Sequence, residues 1–446
     1  MILVLLFLMI PSLSWAACDQ TTVQNQINAA SNGDTVTITP ADCSSSWDAL
    51  SISGKYITLD GNGANITRSG TSKIITVAVN SAGLTRVTGF DLSSTGSDFA
   101  PDMLIAVSGC TYSSGSPNAS FRIDHNTFAG DDIGHVFVGC HGRGLIDHNT
   151  FTWAGNNEVI HVWGTSSGDS TGWVDDVAPG TDAAIYIEDN TFNNTITGGY
   201  LGGKILMVYG AREVVRFNTF DCAVIDVHGN TPRSGRWWEL YGNRFQLTTC
   251  NNQDKYYQIR GGSGYIFGDT VTGTNNGAGN LTFWQDAGKT PSDQDSVGLG
   301  KNQAQDPAYV WQTQASGVAE DDTDCSNCIN ANTDYFKDTG SFNGTVGMGV
   351  GTIASRPSTC TTGSGGAPGV GYWATDEGGN WNTSNGTAND GRLYKCTATN
   401  TWTLAYTPYT YPHPLIAGGG GGGSSQGSHP AGGKKISPMI NLRRGS

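Results

Sequence analysis

A six-residue motif recurs along the middle of the chain, and its spacing constrains the fold more than any other feature. Each copy has an aliphatic residue, two exposed positions, Asn, one further residue and Phe. The copies are Ile123–Phe128, Ile146–Phe151, Ile187–Phe192, Val215–Phe220 and Leu240–Phe245. They begin about 23, 41, 28 and 25 residues apart, which is typical of stacked repeats rather than of one compact core. Asn is expected at a tight bend because it tolerates left-handed backbone angles.

Composition narrows the class of protein further. The chain has 446 residues, 63 of them Gly, and a formal net charge of −14. Abundant Gly with few charged residues and many Trp and Tyr indicates an extracellular all-β protein. Nucleic acid and anionic membranes are excluded as partners, because both require a basic surface.

The N-terminus predicts export. Residues 2–13 form a short apolar run that is followed by Ser14–Ala16, so we expect a signal peptide cleaved near Ala16 and a secreted or cell-surface protein. The run is too short to span a bilayer comfortably, and no later stretch is apolar enough for a membrane anchor.

Ten cysteines in an exported chain are expected to form disulfides. Pairs close in sequence are predicted to bond. These are Cys18 with Cys43, Cys222 with Cys250, Cys325 with Cys328, and Cys360 with Cys396. Cys325 and Cys328 have zinc-ligand spacing, but no second pair accompanies them.

The chain divides into five predicted segments. They are a signal peptide (1–16), a repeat domain (17–275), an irregular polar extension rich in Gly and Asn (276–369), an aromatic β-hairpin unit (370–415) and a Gly-rich linker with a basic disordered tail (416–446). Within the repeat domain, apolar residues at helical spacing over 22–30 predict a short helix that covers the first coil. Residues 165–182 are predicted to form a loop that leaves the stack.

The repeats resemble those of the right-handed parallel β-helix superfamily, the pectate-lyase-like proteins. The resemblance covers about residues 20–275 and rests on the recurring motif, the helical cap and the early coil Tyr56–Gly61. It implies an all-β fold, a right-handed single-stranded parallel β-helix with a short N-terminal helical cap, to which the C-terminal β-hairpin unit is added. The superfamily includes lyases, hydrolases, esterases, epimerases, phage tailspikes and adhesins, so the resemblance leaves the activity open.

One group of this superfamily can be compared residue by residue. Alginate lyases and chondroitinase-B-like enzymes place a catalytic Lys before a unit like Val214–Phe220 and a catalytic Arg before a unit like His228–Asn230. Here Tyr209 stands where the Lys would be and Val227 where the Arg would be. The resemblance therefore implies the position of a groove but not that chemistry.

Stacking of the coils predicts two outward surfaces, since equivalent residues lie about 4.8 Å apart. The first surface has Asp124, Asp147 and Glu188 in one column that continues to Arg216. Three stacked carboxylates would repel one another, which predicts raised pKa values or a Ca²⁺ ion that holds coils together. Solvated polar residues beside a turn are the alternative.

The second surface follows the strands that end in Gly. If Val162, Val208, Val227 and Ile259 point inward, two outward columns result. They are Trp163, Tyr209, His228 and Arg260, and His161, Met207, Asp226 and Gln258. Aromatic rings beside ionisable groups suit a sugar groove, because rings stack on pyranoses while Arg and His bind carboxylates or transfer protons. A structural strand covered by a loop or by the C-terminal unit is the alternative.

This second surface predicts β-elimination of an acidic polysaccharide. Residues 204–260 contain eight Lys or Arg against five Asp or Glu, a basic patch on an acidic chain. Arg260, Lys204 or a bound cation could neutralise the uronate carboxylate, His228 could act as base and Tyr209 as acid. Asp226 could orient a histidine or hold Ca²⁺, while His161, Trp163 and Gln258 are predicted to contact substrate.

Two other functions stay open at this point. Hydrolysis needs two carboxyl groups, and Asp226 is the only one in the two columns. A non-catalytic glycan-binding adhesin or a structural surface protein would use the same aromatic residues without cleaving the glycan. In each case the expected partner is an extracellular polysaccharide, and the sequence does not indicate an oligomeric state.

Overall fold

A computed structural model describes the chain in a series of segments. These are residues 14–16, 18–39, 45–68, 73–80, 82–94, 102–109, 120–130, 134–140, 142–155, 158–164, 176–195, 203–229, 234–247, 255–273, 280–284, 296–314, 318–321 and 329–417.

The chain winds into a right-handed parallel β-helix with three faces, as the sequence predicted. The first face contains β1 (Ser14–Ala16), β2 (Thr35–Ile38), β9 (Ser120–Asp124), β12 (Arg143–Asp147), β15 (Ile185–Glu188), β18 (Arg212–Arg216), β21 (Trp237–Tyr241), β24 (Ser263–Phe267), β27 (Ala308–Trp311) and β29 (Tyr335–Lys337). The second contains β3 (Ser45–Trp47), β10 (Thr127–Ala129), β13 (Thr150–Trp153), β16 (Thr191–Asn194), β19 (Thr219–Asp221), β22 (Arg244–Leu247) and β25 (Thr270–Gly273). The long strands β5 (Thr58–Arg68) and β7 (Leu84–Ser94) run across both faces.

The third face is a separate parallel sheet. It contains β4 (Leu50–Ile52), β6 (Ile75–Ala78), β8 (Ile105–Ser108), β11 (Val136–Gly139), β14 (Ile160–Trp163), β17 (Gly203–Val208), β20 (Val224–Val227), β23 (Lys255–Ile259), β26 (Asn280–Trp284) and β28 (Val318–Asp321).

The predicted N-terminal helix is confirmed. Helix α1 (Gln20–Ala29) begins after Asp19, whose carboxylate accepts a hydrogen bond from the backbone N–H of Thr22, and it buries Val23 and Ile27 against the first coil. Strand β1 pairs with β2, while the apolar run at 2–13 lies outside the described residues, so the signal peptide stays a prediction. Helix α1 is too short to span a bilayer, and the described part of the chain contains no helix long and apolar enough to do so.

The recurring Asn forms a buried ladder along the turn between the first and second faces. The side-chain oxygen of Asn149 accepts hydrogen bonds from the backbone and side-chain nitrogens of Asn126, both at 3.0 Å. Asn190, Asn218 and Asn243 repeat this pattern. The left-handed backbone angle that the sequence predicted at Asn lies one residue earlier, for example at His125 (φ 55°) and His148 (φ 54°). The ladder requires Asn because its amide both donates and accepts.

The recurring Phe stacks inside the β-helix. Successive rings of Phe128, Phe151, Phe192 and Phe220 lie 4.8, 4.9 and 4.6 Å apart between centroids. All are fully buried. Stacked rings and the Asn ladder fix the same coil-to-coil register, so the motif specifies both the core and the turn.

Coils continue beyond the boundary at residue 275 that the sequence suggested. Strand β26 pairs with β23 and then with β28, while β27 pairs with β24 and then with β29. The β-helix therefore continues to β29, which ends at Lys337, and the rest of the predicted polar extension precedes or joins the C-terminal sheet. The motif is hard to see in these coils because long polar segments separate the strands.

The predicted aromatic unit forms a four-stranded sheet. Its strands are β30 (Met348–Gly351), β31 (Gly371–Ala374), β32 (Arg392–Ala398) and β33 (Thr401–Tyr406). The sheet packs on the outward side of the first face, where Trp373 lies 4.9 Å from Trp311 and Tyr406 lies 4.4 Å from Tyr265. These residues share one apolar cluster, so the unit covers the first face rather than standing apart from it.

The disulfide between Cys360 and Cys396 is confirmed. Cys18, Cys140 and Cys222 are also disulfide-bonded. Cys43, Cys250, Cys325 and Cys328 lie outside the described residues, so the other three predicted pairings stay predictions.

Removing the Cys360–Cys396 disulfide is expected to destabilise the C-terminal unit. The bond joins residues 36 apart, and cross-links of that length stabilise folded proteins by about 3–4 kcal/mol. The double variant Cys360→Ala/Cys396→Ala should be tested in place of reduction, which would also affect the other disulfides. Limited proteolysis should then cut within 340–417 before it cuts the coils. Equal protease resistance of the variant and the native protein would contradict this prediction.

Candidate functional site

The outward side of the third face brings together most of the predicted site residues. Met207, Val227 and Ile259 pair in register with Val162 and all point into the core. One outward column consists of His161, Leu206, Asp226 and Gln258. The neighbouring column contains Trp163, which pairs with Val208. It continues to His228 and Arg260, the residues that directly follow the inward-facing Val227 and Ile259.

This register corrects the sequence alignment of β17. Val208 was predicted to point inward and Met207 outward, but the structure reverses them. The reason is that Tyr209, with a left-handed backbone angle (φ 53°), stands between β17 and Gly210. Gly210 therefore follows the inward-facing Met207 by three residues, whereas Gly164 follows Val162 by two. Tyr209 therefore lies at the end of the column, with its ring 5.1 Å from that of Trp163 and with 7% of its surface exposed.

Asp226 lies between two of the predicted catalytic residues. Its Oδ2 is 3.3 Å from Nδ1 of His228 and 3.4 Å from Nη2 of Arg260. The carboxylate is buried, whereas 29% of the His228 side chain and 11% of the Arg260 side chain are exposed. Its Oδ1 has no hydrogen-bond partner among the described residues. The buried negative charge is thus compensated by the guanidinium of Arg260 and by a contact with the imidazole of His228.

His161 is a neutral hydrogen-bond partner in the adjacent coil. Nε1 of Trp163 donates to its Nε2 at 2.7 Å, which places the proton of the neutral ring on Nδ1. Burial, with a smaller contribution from the charge of His228, lowers the pKa of His161 to about 3. His161 therefore orients the Trp163 ring and does not titrate near neutral pH.

Aromatic rings flank this group of ionisable residues at both ends. The Arg260 guanidinium lies 4.2 Å from the ring centroid of Trp284, and Lys255 lies 5.4 Å from it. In the opposite direction along the axis, Phe137 lies 5.2 Å from Trp163. Sequence reasoning missed Trp284 and Phe137, although the alternation in Asn280–Trp284 and the Gly-terminated strand β11 were available signals.

Gln258 and Lys204 are the other two residues predicted for this surface. Gln258 occupies the predicted column beside Asp226 but is almost completely buried. Lys204 lies at the start of β17, where the register with β20 shifts between Gly203 and Ile205. The side chain of Lys204 lies outside the described part of the structure, so its predicted role stays a prediction.

The first surface has the predicted register. Burial raises the pKa of Glu188, in the predicted direction, whereas the pKa of Asp124 is lowered. Asp124, Asp147, Glu188 and Arg216 form one column. Each carboxylate is paired with arginine, at distances of 2.5 Å for Arg86–Asp124, 2.8 Å for Arg122–Asp147 and 2.6 Å for Arg216–Glu188.

These ion pairs remove the repulsion from which calcium was inferred. Arg86, above all, holds the pKa of Asp124 at about 2, below its ordinary value, in spite of burial. Among the described residues, no group of three or more His, Cys, Asp and Glu side chains could hold a metal ion. The expectation of Ca²⁺ at Asp124, Asp147 and Glu188 stays a prediction, but the alignment from which it was inferred did not show the arginines that reach this column.

The C-terminal segment also covers this surface. Arg216 donates to the backbone carbonyls of Tyr409 (2.7 Å) and Thr410 (2.9 Å), and the backbone N–H of His413 donates to Glu188 at 2.8 Å. The first surface is therefore a buried packing interface. The third face, which keeps partly exposed Trp163, His228 and Trp284, is the candidate functional site.

Comparisons with known proteins add one finding. The chain is similar to a solved structure described as "Structure of PL6 family alginate lyase AlyGC", with 14% sequence identity and a TM-score of 0.33. The match covers 72% of this chain and 51% of that chain, so this chain spans about half of its length. No protein-family model matches the sequence, and no curated protein matches it.

Proposed function

We propose that this protein cleaves an acidic polysaccharide by β-elimination at the outward side of the third face. The observation that supports this most is the position of Asp226 between His228 and Arg260. A base oriented by a buried carboxylate, with a guanidinium on the next coil, provides two of the groups that the elimination of a uronate requires.

The residues take the following roles in this proposal. Asp226 accepts the Nδ1 proton of His228, so Nε2 is available to remove the C5 proton of the uronate. Arg260 neutralises the C6 carboxylate and stabilises the negative charge that develops on it. The C4–O bond then breaks as a C4–C5 double bond forms, and the leaving oxygen takes a proton from Tyr209. Trp163 and Trp284 provide ring surfaces for the neighbouring sugars.

Glycan binding without cleavage is the second candidate function. It is favoured by the small exposed fractions of Arg260 and Tyr209, because a substrate carboxylate must reach the first and a leaving oxygen the second. Trp163 and Trp284 would be sufficient for binding. An adhesin or a structural surface protein with this fold would retain affinity for glycans and release no product.

Replacing His228 with Ala is expected to lower kcat/KM by about 10²–10⁴-fold, the usual contribution of a general base. Polygalacturonate, alginate and glycosaminoglycans should be offered in turn, and the ultraviolet absorbance of unsaturated uronate products followed. His125→Ala is a matched control, since His125 also contacts an aspartate but lies at the turn between the first and second faces.

Three results would count against the proposal. Equal activity of the native protein, His228→Ala and Arg260→Gln would show that catalysis occurs elsewhere. An equal loss in His125→Ala would indicate a general effect on folding. Measurable glycan binding with no absorbance on any substrate would favour the second candidate.

A further inference from the structure

A cleft of about 470 Å³ opens between the β-helix and the C-terminal segment, away from the third face. Successive coils line it with His148, with Asp189 and Thr191, and with Phe217 and Thr219, while Tyr411 closes it from the C-terminal segment. Its volume lies within the range of small-molecule sites, about 300–1,000 Å³. The lining residues that come from the β-helix belong to the turn between the first and second faces and to the start of the second face.

The polar groups of this cleft are held in position by the fold. Asp189 has a left-handed backbone angle (φ 57°), and its Oδ1 accepts a hydrogen bond from Tyr411 Oη at 2.7 Å. His148 is bound through Nδ1 to Asp147 at 2.8 Å, so its Nε2 remains for a ligand. The ring of His148 also stacks on that of His125, 5.1 Å away, which fixes its orientation further.

Two threonines extend this polar side. Thr191 and Thr219 are directly paired between β16 and β19, so their side chains lie about 4.8 Å apart. Both are partly exposed, and neither hydroxyl has a partner within the described residues. A hydroxyl both donates and accepts, and two at this spacing match adjacent hydroxyl groups of a sugar.

Two aromatic rings also line the cleft. The rings of Phe217 and Tyr411 lie 3.9 Å apart between centroids and both remain partly exposed. Rings beside a row of hydroxyl groups suit a pyranose, which has an apolar C–H face and a polar rim.

The charges around the cleft favour a neutral ligand. His148 is the basic side chain of the lining, and its hydrogen bond to Asp147 raises its pKa, so the two charges offset each other. Arg122 and Arg216 are nearby but pair with Asp147 and Glu188. A ligand carboxylate would add negative charge beside Asp189, whose pKa is already raised by burial.

We propose that this cleft is a second carbohydrate site, which binds one pyranose unit of a neutral glycan. Aromatic stacking on Phe217 and Tyr411 and hydrogen bonds to Thr191, Thr219, Asp189 and His148 provide the recognition. The site differs in position and in ligand charge from the third-face site, so the two can be tested separately.

The test is isothermal titration calorimetry of the full chain with cellotriose, maltotriose, mannotriose and β-1,4-galactotriose, and with trigalacturonate as the acidic probe. At least one neutral trisaccharide is expected to bind. Thr191→Val and Thr219→Val should each weaken its binding about tenfold, because each leaves a sugar hydroxyl without a partner. Valine preserves the shape of threonine and suits a strand.

Thr127→Val is the matched control, since Thr127 lies in the same column two coils before Thr191 and outside the cleft. It should retain native affinity, and so should His228→Ala. Absence of binding by every neutral probe would overturn the proposal, as would unchanged affinity in both valine variants of the cleft. Trigalacturonate binding that is lost in Thr191→Val and Thr219→Val would overturn the assignment to a neutral ligand.

Discussion

Arg216→Met is expected to lower the free energy of unfolding by about 3–5 kcal/mol, the usual cost of breaking a buried ion pair. Arg216 and Glu188 are fully buried, with Nε of Arg216 2.6 Å from Oε2 of Glu188. The guanidinium also donates to Tyr241 Oη and to the carbonyls of Tyr409 and Thr410. Methionine fills a similar volume but leaves the buried Glu188 carboxylate without its cation and removes the donor from three acceptors.

The same variant should detach the C-terminal segment. Arg216 joins the column on β18 to the chain 193 residues later, so its loss should expose the residues around 409–417 to proteases. Denaturant unfolding and limited proteolysis measure the two effects. The double variant Arg216→Met/Glu188→Leu should recover part of the lost stability, because replacing both members of a buried pair is often neutral.

Lys73→Met provides the control for the Arg216 variant. Lys73 forms an ion pair with Asp102 at 2.7 Å, but both side chains are partly exposed, and such pairs contribute about 0–1 kcal/mol. An equal effect of Lys73→Met and Arg216→Met would show that burial does not determine the cost. A loss below about 1 kcal/mol in Arg216→Met, with native protease resistance, would contradict the prediction.

Asp269→Asn is expected to stabilise the protein increasingly as pH rises. Asp269 occupies the position after Asn243 in the buried ladder and accepts a hydrogen bond from its backbone N–H at 2.8 Å. Burial raises the pKa of Asp269 to about 8, although the hydrogen bond from Asn243 acts in the opposite direction. Asparagine has the same shape, completes the ladder and stays neutral at every pH.

The direction of this pH dependence follows from proton binding. The folded protein holds the Asp269 proton more tightly than the unfolded chain, whose aspartates titrate near pH 4. The stability that this proton contributes is present below that pH and is lost as pH rises through about 8. Because one pKa unit corresponds to about 1.4 kcal/mol, the Asn variant should gain about 2–5 kcal/mol by pH 9.

Thermal or denaturant unfolding at several pH values between 5 and 9 measures this gain. Asp102→Asn is the control, since Asp102 is half exposed and should show no such increase. A difference between Asp269→Asn and the native protein that stays constant across this range would contradict the prediction, because it would show that Asp269 binds no more protons in the folded protein than in the unfolded chain.

The sequence motif predicted the stacking of the turns and of the core residues, because both depend on neighbours at one repeat distance. Asn149 bonds to the Asn of the next coil, and Phe151 stacks on the Phe of the next coil. An alignment of the motif copies places the residues that make these contacts at the same position of the repeat. It also placed Asp124, Asp147 and Glu188 in one column correctly.

The same alignment failed where a side chain reaches across the repeat. Arg86 and Arg122 pair with the column from positions outside the motif, so the carboxylates appeared unpaired and calcium was inferred. At Tyr209 one residue with a left-handed backbone angle separates β17 from Gly210, so an alignment on the final Gly placed β17 one position out of register. A shift of one residue exchanges the inward and outward sides of a strand.

The sequence by itself determined the β-helix, its helical cap and the residues on the third face from which His228, Asp226 and Arg260 come. Repeats specify such features because every coil packs on a copy of itself. Only the tertiary structure decided that Asp226 lies between His228 and Arg260, and that the C-terminal unit covers the first face. Contacts such as Arg216 with Tyr409 join residues 193 apart, and no repeat distance encodes them.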